Sequence, residues 1–148
     1  MIELVPAFNF HARQIVETMR EHDRMEFARY GSEPTAEIAR AIDRSAQAWA
    51  ALVDGKVACI WGIREQSFVS GAHLWMVTTK LIEQHPYRFL VESRRVVRNA
   101  VKSYFMLYGF VDADYSVSLR WMEWLGFEPV NLIELNNTKL LRYELRAS

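Results

Sequence analysis

A chain of 148 residues is the size of one compact domain, and its 51% apolar and 13% aromatic content is enough for a single buried core. Eighteen basic and eighteen acidic side chains cancel, which argues against a general affinity for nucleic acid or an anionic membrane surface. One cysteine, Cys59, excludes an internal disulfide and fits a reducing cytoplasm; no apolar run approaches the ~20 residues of a spanning helix, and the first residues lack the basic start and apolar core of a signal peptide.

Residues 2–5 read as a short strand ended by Pro6. Over 10–22, Ala12, Ile15, Val16 and Met19 fall at helical spacing, with Asn9 as N-cap. A second helical stretch, 25–30, stops at Gly31, and Pro34 suits the first turn of a third helix with the apolar face Ile38, Ala41 and Ile42. Strands 49–53 and 56–64 flank Asp54-Gly55, a pair that favours the type I′ hairpin turn. In the second of these strands Val57, Cys59, Trp61 and Ile63 alternate with Ala58, Ile60 and Gly62, so both faces are apolar and the strand is central. Gly62 predicts a bulge or a close approach by another backbone, and Cys59 a buried thiol.

Residues 72–79, AHLWMVTT, make the next strand. The longest helix opens at Pro86 and runs to Tyr108; Leu90, Val97, Ala100, Val101, Tyr104 and Tyr108 form its buried face, while Arg88, Arg95, Asn99 and Lys102 face out. A short strand at 110–113 leads to a helix over 117–125 capped by Ser116 or Asp114. On that helix Val117, Trp121, Trp124 and Leu125 share one face, and Ser116, Arg120 and Glu123 the other. Strands 127–135 and 140–145, joined by Asn136-Asn137-Thr138-Lys139, close the chain as a hairpin. The expected fold class is α+β (α/β), a mixed and mostly antiparallel sheet flanked by helices, in one domain spanning 1–148.

This order of elements, the Asp54-Gly55 hairpin and the stretch SLRWMEWLGF ending in Gly126-Phe127 resemble the GNAT superfamily of N-acetyltransferases over nearly the whole chain. The resemblance implies a GNAT-like acyl-CoA N-acyltransferase fold in which the strand before the long helix splays from its neighbour and acetyl-CoA enters the opening. Met76, Val77, Thr78, Thr79 and Lys80 would then contact the cofactor, whose pyrophosphate rests on the loop at the helix N-terminus. The family writes that loop as Gln or Arg, two residues, Gly, any residue, Gly or Ala. Its chemistry needs backbone amides converging on an anion with no β-carbons in the way. Residues 79–86, TKLIEQHP, contain no glycine, place Leu81, Ile82 and Glu83 where phosphates approach, and lose one amide at Pro86. Lys80 supplies a point charge rather than a nest of amides.

The family often has an asparagine just after the next strand and a tyrosine, four residues before the glycine, that protonates the leaving thiolate. Here Tyr115 and Met122 stand at those positions, and a thioether donates no proton. Tyr115 is a candidate acid, or a half-buried ring beside Trp121. His73 and Glu65 are candidate general bases on the meander strands; for His73 the alternative is a strand-end residue bonded to backbone or water. No Gly-x-Ser-x-Gly elbow or Cys-His pair supports nucleophilic catalysis, and His11, His22, His73 and His85 lack metal-ligand spacing, so no metal is expected. Asp112 and Asp114 read as a carboxylate pair or as helix-capping charges. Arg88, Arg95, Arg98 and Lys102 form a basic stripe, read as a solvated face or a docking site for an acidic partner.

Some tailed phages encode small GNAT-like proteins with a decayed cofactor loop, among them an internal virion core protein of short-tailed phages. Residues 74–79, Ser118, Arg120, Trp121 and Gly126 are similar to theirs. That resemblance implies a phage or prophage protein acting through contacts with other phage structural proteins, in the host cytoplasm or the virion. The alternative is an active acetyl-CoA-dependent N-acetyltransferase with an atypical loop.

Overall fold

The computed structural model describes the chain apart from residues 1, 30, 68–70, 85, 136 and 148. Tyr30, His85 and Asn136, assigned above to a helix end, the histidine set and a turn, lie outside the described residues. In chain order the elements are β1 (Ile2–Pro6), α1 (Asn9–Thr18), α2 (Glu21–Arg29), α3 (Pro34–Arg44), β2 (Gln47–Val53), β3 (Lys56–Ser67), β4 (Gly71–Thr78), α4 (Lys80–Gln84), α5 (Pro86–Ser103), β5 (Met106–Asp112), α6 (Ser116–Trp124), β6 (Glu128–Leu135) and β7 (Thr138–Arg146). Hydrogen-bonded neighbours follow the order β1-β2-β3-β4-β5-β7-β6. The β1/β2, β2/β3, β5/β7 and β6/β7 pairs are antiparallel, while β4 and β5 run parallel at Ala72↔Leu107 and His73↔Tyr108. The sheet is therefore mixed and mostly antiparallel, as expected. The chain clusters into two compact units, residues 1–64 with 75–86 and residues 65–74 with 87–148.

In the first unit the Asp54-Gly55 turn has both residues at positive φ, 50° and 83°, the conformation a type I′ turn requires. It sets the register Val53↔Lys56. Ala12 and Ile15 of α1, Met19, and Ile38 and Ile42 of α3 pack with Ala50, Val57, Ile60 and Val77 into one apolar core. Gly62 is a site of close approach, but by a ring rather than a backbone: a β-carbon there would lie 2.7 Å from Trp75 Nε1. The bulge lies instead at Ala58 of the same strand, which is skipped as the register passes from Ala51↔Cys59 to Leu52↔Val57. Trp75 Nε1 donates to Ser45 Oγ at 2.7 Å, which fixes the ring against that glycine. Gly62→Ala should cost about 1–3 kcal/mol through overpacking, read as a lower urea midpoint at unchanged m-value.

The helix read over 10–22 is two helices. Its apolar spacing continues through Met19, but Met19 takes an extended conformation (ψ 153°) and forms an antiparallel bridge with Thr79, so the chain breaks there and restarts at Glu21. The cap differs as well. Asn9 is the first helical residue, and the Phe8 N–H donates to His11 Nδ1 at 2.9 Å. Burial holds the His11 imidazole below its usual pKa, which keeps that nitrogen an acceptor. Pro34 opens α3 as read, with the Glu33 carboxylate accepting from the Thr35 and Ala36 N–H groups.

In the second unit α5 ends at Ser103 rather than running to Tyr108, which belongs to β5 and pairs with His73 and Glu144. The buried face of α5 is Phe89, Ser93, Val97, Ala100 and Val101, with Leu90 half-buried at its margin. Phe89 meets Trp121 of α6 at a ring-centroid distance of 4.7 Å, and Met122, Leu125 and Phe127 are buried as well. Trp124 is not part of it: the ring is 43% exposed beneath the Arg94 guanidinium. Neither Ser116 nor Asp114 caps α6. Tyr115 occupies the N-cap without a side-chain capping hydrogen bond, and Asp112 Oδ1 instead accepts from the Asp114 N–H. The closing β6/β7 hairpin forms as expected.

Candidate functional site

The segment of greatest functional interest is the C-terminal end of β4 and the turn after it. Thr79 donates its N–H to Ala58 O on β3 at 3.0 Å, and its hydroxyl reaches the same carbonyl at 2.9 Å. Strand alternation therefore directs the Thr78 carbonyl away from β3. On that side it is met by the Arg20 N–H at 3.4 Å, from the α1–α2 junction that bridges Thr79. The turn itself is wound into α4, an element with no signal in the sequence. Thr79 Oγ1 accepts from the Leu81 N–H at 3.2 Å, and Thr79 O from the Ile82 N–H at 3.3 Å. Ile82 is buried, while Lys80 is exposed.

Beside this turn lies a buried polar cluster that no local pattern announced. Arg20 Nε and Asp23 Oδ2 are 3.9 Å apart, both largely buried. Burial raises the Asp23 carboxyl above its usual pKa, with the Arg20 charge and the Thr78 backbone pulling it part of the way back. The buried Thr78 hydroxyl also bonds the Asp23 carboxyl and adds to that lowering. Cys59 lies within the electrostatic reach of this pair; burial and the Asp23 charge push its thiol well above the usual range, against Arg20. It is an inert, protonated thiol, not a nucleophile.

The three candidate catalytic residues anchor to different partners. Glu65 Oε1 accepts from Tyr104 Oη at 3.0 Å; burial first and then this carboxylate raise the phenol's pKa, so Tyr104 remains a neutral donor. His73 stacks on Tyr108 at 5.2 Å and meets the edge of Phe110 at 5.9 Å. The Arg142 guanidinium covers Tyr108 at 4.2 Å, and Glu144 accepts from both Arg142 and Arg146. His73 is therefore part of a ring-and-guanidinium ladder crossing β4, β5 and β7. Tyr115 is half-buried, its N–H bonded to Asp112 O, while Trp121 pairs with Phe89 instead. Met122, where the family often keeps a tyrosine, is buried under β5: a β-carbon on Gly109 would lie 3.2 Å from its methyl. Among the described residues, no group of three or more His, Cys, Asp or Glu side chains is arranged to hold a metal ion. Among the described residues, no helix is long and apolar enough to cross a membrane.

No protein-family model matches the chain, and no curated protein does. Solved structures match over the full length. An acetyltransferase of the GNAT family from Bacillus anthracis superposes with a TM-score of 0.74 at 9% identity, covering 99% of this chain and 95% of that one. The fold is that of the GNAT acetyltransferases. A GNAT acetyltransferase from Bacillus cereus gives 0.70 at 10% identity over 100% and 99% of the two chains, and one from Streptococcus agalactiae 0.66 at 15% over 99% and 96%. At these identities the likeness carries the fold and not the reaction.

GNAT folds use the turn after this strand to cradle the acetyl-CoA pyrophosphate on backbone amides, and the residues here do not fit that use. The Leu81 and Ile82 amides close back on Thr79, and the Thr78 carbonyl is held by Arg20. Of the residues expected at the cofactor, Val77, Thr78 and Thr79 are buried, Met76 is half-buried, and only Lys80 is exposed.

Proposed function

We propose that this chain is a GNAT-fold protein that acts through protein contacts rather than acetyl-CoA chemistry, in phage or prophage particle assembly or DNA delivery. The observation that carries this reading is the Met19–Arg20 segment lying against Thr78 and Thr79, together with a turn whose amides close on Thr79. An anion site needs amides with no internal partner. The phage setting is supported by the similarity of residues 74–79 and of Ser118, Arg120, Trp121 and Gly126 to small phage proteins of this fold. A second reading, an acetyl-CoA-dependent N-acetyltransferase with an atypical loop and His73, Glu65 or Tyr115 in proton transfer, is favoured by its structural neighbours, which are described as acetyltransferases.

Thermal unfolding separates the two. A ligand at ~100 times its dissociation constant adds about 2.7 kcal/mol, a shift of several degrees in a domain of this size. Millimolar acetyl-CoA should leave the midpoint unchanged; a shift of several degrees supports the enzyme instead. For the particle role, the protein should sediment with assembled virions after induction of the source prophage, and its presence only in the free lysate rejects that role.

A further inference from the structure

The exposed side of α5 is unlike the rest of the chain in charge. Of the 18 basic and 18 acidic side chains, α5 carries five and one: Arg88, Arg94, Arg95, Arg98 and Lys102 against Glu92. At 3.6 residues per turn those five fall within a sector of about 120° and, from Arg88 to Lys102, along about 21 Å. All are exposed, opposite the buried face of Phe89, Ser93, Val97 and Ala100. Among the described residues, only Arg95 is paired with a carboxylate, that of Glu92 at 2.6 Å. Arg94 lies over the Trp124 ring at 5.4 Å, and the Arg98 guanidinium is so close to the α6 end that a β-carbon on Gly126 would come within 2.8 Å of it. The two are positioned without being neutralised, so less side-chain freedom is lost when they meet an anion.

The same sector also contains apolar surface. Tyr87 and Val91, one turn apart, are 75% and 44% exposed, and the part-exposed Trp124 adjoins them through Arg94. An apolar centre with an arginine rim is the composition of a protein-docking patch. We propose that this face of α5 docks an acidic amphipathic helix of a partner protein. Apolar side chains at i and i+4 of that helix would rest on Tyr87 and Val91, and flanking Glu or Asp would meet Arg88, Arg95 and Lys102. A nucleic acid fits less well: an aliphatic centre at Val91 has no counterpart in a phosphate backbone, and the chain as a whole is neutral. The proposal rests on the protein-contact reading and names the kind of partner.

The test is fluorescence anisotropy with a labelled synthetic helix of about 18 residues, Leu at i, i+4 spacing and Glu on the flanking positions. Its comparators are a scrambled peptide of the same composition and a DNA oligonucleotide of equal charge. The amphipathic peptide should bind at least about tenfold tighter than the scramble, and more weakly as salt is raised. The combined charge reversal Arg88→Glu, Arg95→Glu and Lys102→Glu should lower its affinity at least about tenfold, and Val91→Ser should lower it with every charge retained. Circular dichroism and the unfolding midpoint establish that the variants are folded. Equal binding of the scramble, tighter binding of the DNA, or no difference between wild type and the charge reversal each overturns the proposal. None of these outcomes alters the acetyl-CoA melting result, so the two readings fail separately.

Discussion

Arg20→Ala lowers the unfolding free energy by about 3 kcal/mol at neutral pH, and by clearly less at about pH 4. The loss arises because the guanidinium, 3.9 Å from Asp23 Oδ2 and 8% exposed, offsets part of the cost of a carboxylate that burial has desolvated. Desolvation raises the folded-state pKa of Asp23 above its unfolded value, so the folded protein binds this proton more readily than the unfolded chain does. The contribution of Asp23 is therefore most favourable in acid and is lost as pH rises through the folded value, opposite to a surface carboxylate held by a salt bridge. Removing Arg20 raises that value further and enlarges the loss at neutral pH. Urea unfolding at the two pH values measures the difference. Equal losses at both would show that Asp23 is not the group Arg20 serves. In Asp23→Asn the pH dependence from this site should disappear.

Phe89→Ala costs about 3–5 kcal/mol, the range for deleting a fully buried aromatic. Phe89 is 1% exposed and is the ring through which α5 meets Trp121 of α6, so its removal leaves a cavity lined by side chains that cannot all move inward. Trp124→Ala, a larger deletion on α6, should cost less than about 1 kcal/mol, because that ring is 43% exposed and packs under one guanidinium. Guanidinium unfolding of both variants decides this. A Trp124 loss equal to that of Phe89 would mean the apolar face of α6 has been assigned to the wrong side.

The features legible in the sequence are those fixed by short-range chemistry. Asp54-Gly55 sets its hairpin because both residues take positive φ, and Pro34 starts α3 because its ring suits a first helical turn. Gly126, at φ 99°, ends α6 where the sequence places the stop. What was not legible depends on contacts distant in sequence. Ala12, Ile15 and Met19 keep a continuous helical spacing, and the break at Met19 is imposed by its bridge to Thr79, 60 positions later. Tyr104 and Tyr108 prolong the α5 pattern with no proline or glycine between them, yet pairing with β7 draws Met106 onward into a strand. Helical spacing puts Trp124 on one face with Trp121 and Leu125, yet its ring stays exposed beneath the Arg94 guanidinium.

The candidate site divides in the same way. The missing glycines of residues 79–86 and the thioether at Met122 are local facts, and both were visible. The α1–α2 junction on β4, the burial of the Arg20–Asp23 pair against Thr78 and the winding of the turn into α4 are not: the first two depend on contacts with β4 distant in sequence, and the third on the Thr79 hydroxyl reaching two residues onward. Residue type and strand position alone mark His73 and Glu65 as candidate bases. Their ring and hydroxyl partners, Tyr108 and Tyr104, became apparent only with the fold.

The most direct measurement is an amide-resolved NMR titration with acetyl-CoA that follows Arg20, Thr79, Leu81 and Ile82. These N–H groups bond to Thr78 O, Ala58 O, Thr79 Oγ1 and Thr79 O in the free protein. Resonances unchanged up to millimolar acetyl-CoA, with slow hydrogen exchange throughout, are the expected result. Saturable shifts centred on Leu81 and Ile82 would show that the turn opens to receive the pyrophosphate, and would contradict the assignment of this GNAT fold to protein contacts.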